Sequence, residues 1–176
     1  MEEKTFLVEG PKLSLRLLEE GDFPLIIKWR NNDRVRKNFI YRESFTLEGQ
    51  KQWKETMIDT GKVVQFMICE NERNYRPVGS VYFRDIDHND MCAEYGIFIG
   101  EDDCIGKGYG NETAQLATDY AKEVMGLKKL ILRVFCFNTP AIKSYEHAGF
   151  VKVKELPLVT CSDGQKDDMI LMEKIF

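Results

Sequence analysis

Three glycines spaced two apart stand in Ile105-Gly106-Lys107-Gly108-Tyr109-Gly110-Asn111-Glu112, after the apolar run Ile97-Phe98-Ile99 and before a helical pattern. Strand, glycine loop and helix start in that order make an anion cradle. Glycines let the backbone approach a ligand closely, and the first amides of a helix point unpaired at whatever lies in front of them. A phosphate-bearing cofactor suits such a loop. The nucleotide-triphosphate pattern is excluded, because Lys107 is followed by Gly108 rather than Ser or Thr. The dinucleotide fingerprint is excluded by the spacing of its third glycine. The plainer alternative is a turn that merely caps a helix.

Two charged groups of opposite sign mark a second chemistry. From Lys28 to Lys37 the chain reads Lys-Trp-Arg-Asn-Asn-Asp-Arg-Val-Arg-Lys, five basic residues and one acid in a chain of net charge −4. Such a segment is either a solvated helix end or an anion site holding a phosphate or carboxylate. Asp85, Asp87, Asp90 and Glu94 form the opposing set, suited to a polyamine or a basic N-terminus. Glu94 interrupts the apolar strand Ala93-Glu94-Tyr95-Gly96-Ile97, where an acid is either solvent-facing or functional.

The remaining composition is mostly exclusionary. Only His88 and His147 are available, both read as surface residues, and five scattered cysteines form no C-x-x-C pair, so no metal site is expected. Most of the cysteines read as small core residues, and an odd, widely spread set argues against a disulfide framework. An acidic balance disfavours nucleic acid, and every apolar run is too short to cross a bilayer. The first twenty residues, with acids at Glu2, Glu3 and Glu9, lack the order of a signal peptide, so a cytoplasmic protein is expected.

These groups must be positioned by one α/β domain spanning 1–176, large enough to bury a real core. Leu13, Leu15 and Leu17 alternate with polar residues as a half-buried strand. Asp22 and Pro24 open a helix carrying Leu25, Ile26 and Trp29, and Thr46 caps a second with Trp53 and Met57. Strands Val63 to Cys69, Val78 to Ile86 and Cys92 to Ile99 read as an antiparallel meander. A helix from about Asn111 to Met125 turns Ala114, Ala117, Tyr120, Ala121 and Val124 inward and stops at Gly126. Strand Leu130 to Phe135 follows. The next helix is capped by Thr139, opened by Pro140 and stopped by Gly149. Two last strands flank the turn Ser162-Asp163-Gly164.

The glycine loop and, about thirty residues on, Asn138-Thr139-Pro140-Ala141-Ile142-Lys143-Ser144-Tyr145-Glu146-His147-Ala148-Gly149-Phe150 together resemble the acetyl-CoA signature of the GNAT superfamily of N-acetyltransferases. The resemblance covers almost the whole chain. It is nearest to the branch holding ribosomal-protein N-terminal, spermidine and aminosugar acetyltransferases. The implied fold is a mostly antiparallel mixed sheet with a splayed fourth strand, in the order β-α-α-β-β-β-α-β-α-β-β. One departure is Ile105, where the family pattern has Gln or Arg.

The resemblance implies acetyl-CoA as cofactor, without metal, and direct transfer to a primary amine in a ternary complex. Its pantetheine arm would lie along Phe98 and Ile99, and its pyrophosphate on Gly106, Lys107, Gly108, Tyr109, Gly110 and Asn111. Asn138 would bond the arm, Lys143 would attract the polyanion, and Tyr145 would deliver a proton to sulfur. Tyr145 at helical spacing from Ile142 and Ala148 is otherwise a core tyrosine. Glu94 is the candidate base. Trp29-Arg30-Asn31 resembles enzymes that acetylate nucleotide-linked aminosugars, which makes these three residues candidate substrate contacts and an anionic amine carrier the leading expectation. A polyamine, a protein N-terminus and a noncatalytic CoA-binding module are the alternatives, and a homodimer is the expected assembly.

Overall fold

The computed structural model describes residues 5–176, so Glu2 and Glu3 lie outside the described residues. Its frame is one eight-stranded sheet. In chain order the elements are β1 (Val8–Glu9), β2 (Leu13–Leu17), α1 (Phe23–Arg30), α2 (Asp33–Arg36), α3 (Leu47–Trp53), β3 (Val64–Glu70), β4 (Arg76–Asp87), β5 (Cys92–Ile99), α4 (Tyr109–Glu123), β6 (Lys129–Phe135), α5 (Thr139–His147), β7 (Val151–Thr160) and β8 (Lys166–Ile175). The expected order is present with two additions, the two-residue β1 and the single turn α2. Neither had room for a readable period. The splayed strand is therefore fifth in the chain.

Across the sheet the strands run β1-β2-β3-β4-β5-β6-β8-β7. All neighbours are antiparallel except β5 and β6, which pair in parallel over three residues only, Cys92 to Glu94 against Lys129 to Ile131. Beyond Glu94 the two strands part, and Tyr95 to Ile99 keep their ladder with β4 alone. That gap leaves unpaired backbone groups along one edge of β5 in mid-sheet.

Period two in β5 sorts its side chains onto two cores. Ala93, Tyr95, Ile97 and Ile99 face the core closed by α4 and α5, with Ala114, Ala117 and Ala121 packed against Leu13, Phe66 and Val81. Phe98 faces the opposite core, with Ile26, Trp29 and Val35. Val124 is 66% exposed, against the expectation that it points inward, because it is the C-cap residue where α4 turns away from the sheet.

β2 departs from its half-buried reading. Ser14 and Arg16 are both 1% exposed. Each has a partner where it lies: Ser14 Oγ donates to Asn71 Oδ1, and the Arg16 guanidinium is bidentate on Asp22 at 2.7 Å to each oxygen, with only its Nε unpartnered. Helix ends follow local chemistry more closely. Thr46 Oγ1 accepts from Gly49 N–H, whereas α5 begins one residue earlier than expected, with Asn138 in the cap position and Thr139 as its first residue. Gly126 and Gly149 take the left-handed conformation at the helix stops, with φ of 67° and 96°.

Candidate functional site

The parting of β5 from β6 opens a cavity of about 900 Å³ whose walls come from both faces of the sheet. Ile105, Gly108, Gly110 and Asn111 of the glycine loop, with Asn138, Ser144 and Tyr145, line it from the α4–α5 side, whereas Gly106, Lys107 and Tyr109 do not. Phe39, Phe45, Gln50 and Trp53 line it from the other, with Glu94 and Phe98 of β5 between them. The two faces of one sheet thus share one space.

At the loop end Gly106 and Gly108 both have φ of 77°, and Gly108 is the N-cap of α4. The Glu112 amide already bonds to Gly108 O, so the amides of Tyr109, Gly110 and Asn111 are the ones a helix leaves free at its start. Tyr109 itself turns inward. Its hydroxyl donates to Glu70 Oε1 at 2.6 Å, and Lys107 Nζ reaches the same oxygen at 3.4 Å. Tyr109 can therefore serve a cofactor through its backbone alone. Burial pushes the Glu70 carboxyl up, but the Tyr109 and Lys107 hydrogen bonds and the charges of Lys107 and Arg73 hold it below its ordinary value. Lys143 is exposed on α5 and does not line the cavity, whereas Ser144 and Tyr145 beside it do.

The Tyr145 ring packs edge-on against Tyr95, centroids 6.0 Å apart, and against Phe150. Burial holds its phenol well above the usual tyrosine value, so it carries its proton throughout the neutral range. Asn138 makes no capping hydrogen bond and lines the same wall, which leaves its amide available to a ligand. Across the gap Glu94 is bidentate with Arg133, at 3.0 and 3.4 Å. A base at this position would share its oxygens with that guanidinium.

The expected substrate triad divides three ways. Trp29 is 1% exposed and its indole donates to Glu101 Oε1 at 2.8 Å. It is core, and Gly100 has no side chain because the Trp29 ring occupies that space. Asn31 is a staple, accepting from Phe45 N–H and donating to Phe45 O. Arg30 does line the cavity, its guanidinium 3.5 Å from the centroid of Phe39 and bonded to Tyr41 O, with Nε unpartnered. Burial lowers it to about 10, still a cation at neutral pH. The neighbouring arginines are engaged elsewhere: Arg34 on Asp102 and the carbonyls of Ile99 and Gly100, Arg36 on Asp33. Ile99 thus offers a cofactor arm less free backbone than expected.

Of the acidic set only Glu94 reaches the cavity. Asp85 and Asp87 border a separate depression beside Lys62 and His88. Sequence reading missed Gln50, Gln65 and Tyr82, polar residues of the acceptor wall that no motif marks, and Ser144, which stood inside the Asn138–Phe150 motif without a role. Trp53 Nε1 donates to Gln65 Oε1 and Gln65 Nε2 to Ser80 Oγ, a chain that fixes which way the Gln65 amide faces. No cluster of metal-ligating side chains occurs among the described residues. No described helix is long and apolar enough to span a membrane.

A sheet parted in mid-layer, with an anion cradle beside the parting and a protonated phenol in its wall, defines an enzyme that transfers a group from a phosphate-bearing carrier. Residues 12–151 match the family model of the acetyltransferase (GNAT) domain, and the chain belongs to that family. It is an acetyl-CoA-dependent N-acetyltransferase. Among its relatives, the spermidine N(1)-acetyltransferase of Vibrio cholerae is 26% identical over 158 residues, covering 90% of each chain. An uncharacterized protein of Methanocaldococcus jannaschii is 29% identical over 147 residues, which are 84% of this chain but 30% of that protein. The crystal structure of the Vibrio cholerae enzyme with CoA and spermine superposes with a TM-score of 0.86 at 24% identity, covering 94% of this chain and 96% of that one, and another structure of it is dodecameric (TM-score 0.80, 25% identity, 94% and 95% covered).

Proposed function

We propose that the chain acetylates a small primary amine, with acetyl-CoA on the glycine-loop side of the cavity and the amine entering from the α1–α3 side. One observation carries this reading: Tyr145, Asn138, Gly108, Gly110, Asn111 and Glu94 line a single cavity that passes through the parted sheet. The amine must be neutral to attack the thioester carbon. As the tetrahedral adduct collapses, the C–S bond breaks, nitrogen loses a proton, and the thiolate gains one from Tyr145. In this role Glu94, with Arg133, takes the nitrogen proton directly or through water. Amides of residues 109–111 hold the pyrophosphate.

For the acceptor, the spermidine acetyltransferase relatives support a polyamine better than the aminosugar expected from the sequence, and a polyamine is proposed first. A nucleotide-linked aminosugar is the second reading, favoured by the lining charges: Arg30, Arg34, Arg84 and Arg133 against the single carboxylate Glu94. A homo-oligomer, not specifically a dimer, is inferred from the dodecameric relative.

CoA release assayed with spermidine, a UDP-linked aminosugar and a basic N-terminal peptide separates these readings. Turnover of spermidine, with a KM unchanged or lowered in Arg30→Ala, supports the polyamine. Turnover of the nucleotide sugar, with a KM raised about tenfold or more in Arg30→Ala and less so at high salt, supports the second reading. No turnover of any amine by a protein that binds acetyl-CoA would overturn both.

A further inference from the structure

The segment between α2 and α3 supplies much of the acceptor wall, including Phe39, Tyr41 and Phe45, yet it contains no regular structure of its own. Backbone without internal pairing keeps one conformation only where something else holds it. Asn31 holds its Phe45 end and Arg30 bonds Tyr41 O, and the tip of the β7–β8 hairpin holds its middle. Ser162 N–H donates to Ile40 O at 2.9 Å, and Arg42 N–H donates to Ser162 Oγ at 2.7 Å.

The Arg42 side chain does not line the cavity. It is 10% exposed and ties both sides of this junction together. Nε donates to Phe39 O at 2.9 Å and Nη2 to Lys37 O at 2.9 Å, while Nη1 reaches Gln165 Oε1 at 3.2 Å and Asp163 Oδ2 at 3.4 Å. Its guanidinium also lies 5.3 Å from the Phe135 ring. Beneath it Ile40 packs on a small separate core of Phe135, Cys161 and Met169. The segment then continues to Tyr41, whose carbonyl receives Arg30.

We propose that Arg42 is a positioning residue for the acceptor: it clamps segment 37–46 to the β7–β8 tip and so fixes the aromatic wall and Arg30, without touching the acetyl-CoA side. The kinetic part rests on the N-acetyltransferase reading above. The structural part does not. An arginine suits the task because its planar fork meets carbonyls on one side and side-chain oxygens on the other, which a lysine cannot do at once.

Hydrogen exchange and kinetics of Arg42→Ala and Arg42→Lys test the clamp. In Arg42→Ala, amides of 38–46 and 161–165 should exchange at least about tenfold faster while those of 105–111 keep the parent rate. KM for the amine, spermidine or the UDP-linked aminosugar, should rise about fivefold or more, with the calorimetric Kd of acetyl-CoA within about twofold. Arg42→Lys should fall between. Unchanged exchange in 38–46, or equal acceleration at 105–111, overturns the proposal. So does an acetyl-CoA Kd that moves with the amine KM. If Arg42→Ala does not fold, Asp163→Ala/Gln165→Ala removes the far side alone, and the same segment-specific exchange is required of it. Because exchange and acetyl-CoA binding need no acceptor, failure of every amine to turn over would sink the functional reading while these measurements still judge the clamp.

Discussion

Tyr145 is where a single atom separates catalysis from packing. Tyr145→Phe removes the hydroxyl and leaves the ring contacts with Tyr95 and Phe150 in place. Turnover should fall roughly 10²- to 10⁴-fold with the acetyl-CoA affinity nearly unchanged, and stopped-flow or steady-state CoA release checks it. A rate within about twofold of the parent would assign thiolate protonation to water. The pH dependence has a definite sign. Burial raises the phenol, which favours the protonated form, so no fall in kcat due to Tyr145 should occur below about pH 10, the ordinary tyrosine value. The rising limb at lower pH then belongs to the amine becoming neutral. A descending limb near pH 8 that vanishes in Tyr145→Phe would contradict this.

At the scale of elements, the glycine of the loop and the glycine just past the end of β5 do two different jobs. Gly108 has φ of 77° and nothing within 4 Å of where a Cβ would stand, so the space in front of it is open for a ligand. Gly108→Val therefore costs through backbone strain, about 1–3 kcal/mol for a branched residue in the left-handed region, and through bulk in the cradle. Acetyl-CoA affinity should drop about tenfold or more in a protein that still melts cooperatively. Unchanged affinity by calorimetry would remove the loop from the cofactor site. Gly100 shows the opposite case. A Cβ there would collide with the Trp29 indole, so Gly100→Ala should lower stability by about 1–3 kcal/mol through displacement of that ring. Chemical denaturation reads this directly, and a variant as stable as the parent would mean that Trp29 is not held as described.

For the molecule as a whole, β7 and the ends of β8 present Val151, Val153, Leu158 and Ile175 to solvent, at 46–70% exposure, on the last strand pair of the sheet. An exposed edge carrying apolar side chains is a surface that assembly would cover. In line with the homo-oligomer inferred above, light scattering should report a mass at least twice the 20.5 kDa of one chain. A monomer at micromolar concentration would end that inference and leave the acetyltransferase assignment untouched. The division of the cavity between two halves of the sheet also belongs to this scale, since neither half encloses it alone.

Much of this was legible in the residues because it is decided within a few positions. Gly108, Gly126 and Gly149 mark left-handed backbone, Thr46 and Pro24 mark helix starts, and period two marks β5. Each is a local steric or hydrogen-bonding requirement that any fold must respect. The role proposed for Tyr145 had a different source, the resemblance of its motif to the acetyltransferase signature, because its spacing from Ile142 and Ala148 alone reads as core. Burial and partnership were not, because they depend on segments far apart in the chain. Arg34 reads as a free cation until the fold brings Asp102 and the carbonyl of Ile99 to it. Arg16 reads as solvent-facing until α1 places Asp22 over its strand. Trp29 becomes core because the β5 end passes beneath it, and Arg42 becomes a clamp because Ser162, 120 residues later, folds against it. A residue's type sets what it can bond, and the tertiary structure alone decides which of those bonds are left for a ligand.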